Sequence, residues 1–333
     1  MQYNGYSATA PEQLMIQEQK SAVRSASNVW GFASSIGTVA INVIVIAAAF
    51  VLRLTGLNAD LFQNPSPTVE LIMQIVLSFL LMTVPFIIGA LATRERISAL
   101  LSVRRVRAGL FIPLVFIGLG GAMLSNFMTN SFISFMNMLG LNPSSGELQI
   151  PDGVGGTALF LVTISVLPAI IEEFAYRGIV MGALRKFGNS FAIIASSVLF
   201  GLMHGNFVQI PFAIALGCVM GYINIVSGSI LPSVTVHFLN NFMSGIQQII
   251  YIRYGEEYGT VAVVICFCLS LALGILGFFI LCKRFRHPFA PIIEECPIGL
   301  KTALCAFLSC PGSIVSYIVF GGSAVVMLLP FAA

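Results

Sequence analysis

Charge is what this 333-residue chain lacks most: 16 basic and 13 acidic side chains make up only 9% of it. A soluble domain carries roughly a quarter charged residues, so a water-facing globular surface is excluded. The net charge of +3 forms no basic stripe, because the cations sit in short clusters between apolar runs, so nucleic acid is not an expected partner. Histidine is scarce, with three in the chain, and no HExxH occurs, which removes the usual helical zinc-protease signature. Seven cysteines make an odd total without zinc-ribbon spacing, which argues against a complete disulfide framework. They read as small buried hydrophobes. The first 28 residues lack the basic, apolar, small-residue order of a cleaved secretory signal. They read as a short solvated tail. No internal repeat of the kind transporters carry is visible.

What the chain has instead is apolar length. Hydrophobic residues make up 57% of it, and the mean hydropathy is +0.96. Runs long enough to cross a bilayer recur throughout: 29–52, 69–92, 108–129, 157–180, 189–205, 207–226, 229–252, 260–282 and 302–326. The expected fold is therefore all-α, a polytopic transmembrane helical bundle of about eight to nine transmembrane helices. Near residue 200 the runs are separated by so few residues that tight antiparallel neighbours are expected. Basic residues mark alternate connections: Lys20 and Arg24, then Arg94 to Arg107, then Arg185 and Lys186, then Lys283 to Arg286. By the positive-inside rule these connections and the N-terminus face the cytoplasm, in what is expected to be the cell membrane. Arg53 and Arg253 fall on the other side.

Against this background the stretch PAIIEEFAYRG, residues 168–178, is out of place. An ionisable side chain at membrane depth costs at least about 2.5–3.5 kcal/mol on insertion scales, so each is a functional suspect. Glu173 and Arg177 are four apart on one helical face and can neutralise each other. Glu172 is turned roughly 100° from Glu173 and is left without a partner on its own helix. Two of the three histidines also fall in apolar runs: His204 in LFGLMHGN and His237 in VTVHFLNNF, with Asn241 four residues beyond it on the same face. Measured from the turns at Gly188 and Gly228, Glu172, His204 and Asn241 lie at similar depths, roughly 20–24 Å along straight helices. Each alone has an ordinary explanation as an ion pair or a hydrogen-bonded packing residue. Together, within about 70 residues, they form a candidate site, with Asn240 as the alternative carboxamide.

These residues resemble the three motifs of the CAAX protease and bacteriocin-processing family, the type II CAAX prenyl endopeptidases. EExxxR is matched by Glu172, Glu173 and Arg177, FxxxH by Phe200 and His204, and HxxxN by His237 and Asn241. The resemblance implies an intramembrane glutamate-type protease without a cofactor. It implies that Glu172 and His204 activate a water for attack on a peptide carbonyl, while His237 and Asn241 donate hydrogen bonds to the oxyanion. Glu173 and Arg177 would hold the helix that carries Glu172. The implied partners are a membrane-associated peptide or protein, lipidated in some family members, and membrane lipids. The implied roles include bacteriocin processing and immunity. On this reading the chain divides into a polar tail (1–28), N-terminal transmembrane helices (29–156), a catalytic core (157–252) and C-terminal transmembrane helices (253–333). Three rivals remain: a zinc metalloprotease using Glu172, His204 and His237, a transporter, and a catalytically idle membrane adaptor or immunity protein on the same fold.

Overall fold

The computed structural model describes residues 10–55, 65–144, 148–285 and 296–328, and every regular element among them is helical. The start of the expected tail and most of the basic 283–301 connection lie outside the described residues. The principal helices are α1 (Ala10–Thr55), α2 (Pro67–Ala92), α3 (Ala108–Met138) and α4 (Gly153–Phe187). They continue with α5 (Asn189–Leu202), α6 (Ile210–Ser227), α7 (Leu231–Tyr254) and α8 (Glu256–Arg284). A bent pair, α9 (Leu300–Leu308) and α10 (Pro311–Val326), follows with a 58° bend between its halves.

Helix follows from the solvent. A segment crossing hydrocarbon must satisfy its own backbone polar groups, and an α-helix does so within itself. Among the described residues five helices, α2, α3, α4, α6 and α8, are long and apolar enough to cross a membrane, and α9 with α10 makes a sixth if the bent pair is one span. The chain is an integral membrane protein. The expected eight to nine crossings are not reached on this measure. Helix α5 is short, at 14 residues, and α7 is more polar because it carries His237, Asn240, Asn241, Gln247 and Gln248.

The helices begin and end where the sequence punctuates them. Ser66 accepts a hydrogen bond from the Val69 amide, and Pro67 opens α2. Gly188 is the single residue between α4 and α5, and its φ of 109° is one that only glycine adopts without strain. Residues 10–28 differ from the expected tail. They form the first half of α1, exposed from Pro11 to Ala22 but with Val23 and Ser27 buried in the bundle.

Packing places the polar residues centrally. Large apolar side chains such as Leu91, Phe127, Met138 and Ile318 point outward, as suits a lipid-facing surface. Helices α3 and α8 touch backbone to backbone: a Cβ on Gly120 would lie 2.7 Å from the Gly274 Cα. Small residues allow such an approach where dispersion replaces the hydrophobic effect as the adhesive. Between α4, α5, α6 and α7 lies a core in which Tyr176 and Phe200 pack together beside buried Glu173, Arg177 and His237.

Candidate active site

Helix α4 carries the two carboxylates, and its geometry changes where they stand. It widens into π-helical turns at Val162–Val166 and Phe174–Val180, either side of Leu167–Glu173. Such turns cost helix stability and cluster at functional sites. They re-aim the side chains that follow. Glu173 is fully buried, with its Oε2 3.6 Å from Arg177 Nε. Glu172, on the neighbouring face, keeps 16% of its side chain exposed.

Helix α7 brings His237 between them. Its Nδ1 lies 3.3 Å from Glu173 Oε1 and its Nε2 lies 3.8 Å from Glu172 Oε2. The first distance is a long hydrogen bond; the second is close approach without one, and Glu172 Oε2 has no hydrogen-bond partner. Ser233, one turn before His237, stands beside Glu173. His237, expected as a donor to the oxyanion, stands between two carboxylates, because the rotation of α7 aims the ring at α4.

Arg177 has no such freedom. It is buried, and no hydrogen bond reaches its Nε, Nη1 or Nη2 among the described residues. Its charge is met by Glu173 and by the face of Phe200, whose centroid is 4.2 Å from the guanidinium carbon. A desolvated cation on an aromatic face gains about 2 kcal/mol or more. The same ring packs edge to face with Tyr176 (5.4 Å), His204 (5.3 Å) and His237 (5.9 Å). Phe200 is therefore the platform on which both histidines and the arginine meet.

His204 lies just beyond the end of α5, in the turn that leads to α6. Its Nδ1 is 3.0 Å from the Phe200 carbonyl. Because a carbonyl only accepts, Nδ1 carries the proton in the neutral ring and Nε2 presents a lone pair. Glu172 is within electrostatic reach of that ring. Asn241 is half-buried, one turn beyond His237, and its Oδ1 accepts a hydrogen bond of 3.1 Å from Asn240 Nδ2. That contact leaves the Asn241 amide N–H groups free to donate. Asn240, the alternative, is the more buried of the two.

The structure thus brings Glu172, Glu173, Arg177, His204 and His237 together about Phe200, with Asn241 on the same helix as His237. The three motifs anticipated this grouping. They gave no sign of Gly217 on α6. A Cβ there would stand 3.2 Å from Arg177 Nη2 and 3.1 Å from Ser197 Oγ, a tight fit in which one of these neighbours would have to give way by a few tenths of an ångström. In the sequence Gly217 reads as one more small residue in an apolar run. As to metals, no group of three His, Cys, Asp or Glu side chains arranged to hold an ion occurs among the described residues.

Residues 154–243 match the type II CAAX prenyl endopeptidase Rce1-like family. That interval holds every residue of the cluster. Over that interval the chain is similar to the type II CAAX prenyl endopeptidases. It is also 28% identical over 189 residues, 56% of the chain and 72% of the relative, to "Putative membrane peptidase YdiL" of Bacillus subtilis (strain 168). No solved structure matches the chain. The match spans α4 to the first half of α7, the stretch that holds Phe200 and the residues packed on it.

Proposed function

We propose that the chain is an intramembrane endopeptidase that hydrolyses a peptide bond in a membrane-associated peptide, by water activated at Glu172 and His204. The observation that carries this reading is the division of labour between adjacent carboxylates. Glu173 is fully buried, ion-paired with Arg177 and hydrogen-bonded to His237 through Oε1, whereas Glu172 is part-exposed, with its Oε2 free of hydrogen bonds and 3.8 Å from His237 Nε2. A general base must have a free lone pair within reach of the water it deprotonates. Glu172 Oε2 and His204 Nε2 are two such acceptors on one side of Phe200.

The reaction then runs as acyl transfer to water. The water gives its proton to the Glu172 carboxylate and its oxygen attacks the substrate carbonyl. The oxyanion needs donors aimed at it beforehand. Asn241 Nδ2 is one. His237 is the other through Nε2, and since its Nδ1 already donates to Glu173, this requires the imidazolium form. The proton held by Glu172 passes to the leaving amine, completing hydrolysis.

On this reading the substrate is a peptide or protein at the membrane, with or without a lipid, and no metal takes part. The protein resides in the cell membrane with its N-terminus in the cytoplasm. The test is to compare the peptides that accumulate in cells carrying the wild-type protein and Glu172→Gln. A membrane peptide that is shortened only by the wild type supports the reading; identical peptide profiles contradict it.

A further inference from the structure

Away from the active site, five cations gather around the start of α3 and the end of α8. Residues 101–107 run as a strap over the α6–α7 turn, where the Ile230 amide donates to the Ser102 carbonyl (2.9 Å) and the Arg104 amide to Ser229 Oγ (3.2 Å). The strap delivers Arg104, Arg105 and Arg107 to the first turn of α3, all exposed. Helix α8 ends beside them with Lys283 and Arg284, and Arg284 Nη1 donates to the Gly109 carbonyl at 3.3 Å.

This concentration of charge is uncompensated among the described residues. Lys283 and Arg284 suit the negative end of α8, but Arg105 and Arg107 stand at the positive end of a 31-residue helix, where cations are disfavoured. The first turn of α3 holds no acidic residue, and neither arginine makes an ion pair among the described residues. Lys186 shows the contrast: another of the basic connections, it is paired with Glu95 at 2.7 Å. Between Arg105, Arg107 and the Phe111 ring lies an open hollow of about 680 Å³. It sits at the start of α3, beside the end of α8, two helices long and apolar enough to cross a membrane, and the ends of such helices are where lipid phosphates lie.

We propose that this hollow is a binding site for the headgroup of an anionic phospholipid, with the phosphate on Arg105 and Arg107 and the upper acyl chain against Phe111. Charge complementarity and depth select the lipid. A juxtamembrane cation strengthens attraction to anionic lipid by about fivefold. A general inward bias of positive charge would need neither the hollow nor the unpaired arginines.

The experiment uses the full chain in neutral detergent, with phosphatidylglycerol and phosphatidylcholine as probes and native mass spectrometry and melting temperature as readouts. Phosphatidylglycerol is expected to be retained in preference to phosphatidylcholine and to raise the melting temperature. Arg105→Gln with Arg107→Gln should lower that preference by about 25-fold, roughly fivefold for each cation. Lys186→Gln should leave it unchanged, since Lys186 is already paired. Equal retention of both lipids, or an undiminished preference in the double variant, overturns the proposal. An equal loss in Lys186→Gln would reduce it to bulk charge, and stabilisation by millimolar inorganic phosphate alone would make the ligand a free anion.

Discussion

His237 Nδ1 lies 3.3 Å from Glu173 Oε1, which turns the opposite ring nitrogen toward Glu172 at 3.8 Å. One imidazole is thereby oriented by a fully buried carboxylate. The arrangement gives neighbouring residues in one helix separate tasks, and the consequences can be measured.

Glu173→Gln is expected to lose stability and activity together. It leaves the buried guanidinium of Arg177 without its ionic partner Glu173, a change that costs about 3–5 kcal/mol. It also weakens the contact that aims His237. Unfolding in detergent alongside peptide turnover checks both effects. A stable Glu173→Gln protein with near-normal turnover would mean that Phe200 alone compensates Arg177.

Gly217→Ala is expected to destabilise by about 1–3 kcal/mol, as overpacking does, because the new methyl presses on Arg177 and Ser197. Ser197→Ala, which removes a buried hydroxyl without a hydrogen-bond partner, should be neutral or stabilising. Melting temperatures of the two variants test this. A neutral Gly217→Ala would show that the guanidinium has room to move off Phe200.

Asn241→Ala should lower turnover by about 10²–10³ with little change in substrate affinity, the pattern of a donor used in the transition state. Asn240→Ala should act more weakly, because Asn240 reaches the site only by holding Asn241 Oδ1. The split between kcat and KM in the two variants decides. An inert Asn241 beside an essential Asn240 would reverse these roles.

Much of this was legible in the sequence, and the exceptions have physical causes. The helices follow from apolar length, and the site residues from the cost of charge at membrane depth. Glu172 could be separated from Glu173 by helical rotation alone. The π turns flanking Leu167–Glu173 were not legible, since nothing in the local sequence distinguishes a widened turn from a regular one. Nor was the place of His237 between two carboxylates, because the rotation of α7 is set by tertiary packing. The continuation of α1 back to Ala10 was hidden by polar residues that face water along one side of a helix. Gly217 matters through what it leaves out, and a missing side chain has no signature.

Chelation should leave turnover unchanged. The proposed chemistry uses a carboxylate, two imidazoles and a carboxamide, and no third ligand stands with Glu172 and a histidine in a metal-holding arrangement among the described residues. Dialysis against a strong chelator followed by a turnover assay checks this. Loss of cleavage that zinc alone restores would replace the account with a metalloprotease.

The most direct test of the central claim is turnover and melting temperature of Glu172→Gln, measured on the same preparation as the wild type. Removing a general base lowers rates by typically 10²–10⁴-fold, and Glu172 has no ionic partner within its own helix to leave exposed. The account predicts that cleavage falls by at least about 10²-fold while the melting temperature stays at the wild-type value. Near-normal cleavage by Glu172→Gln would contradict it.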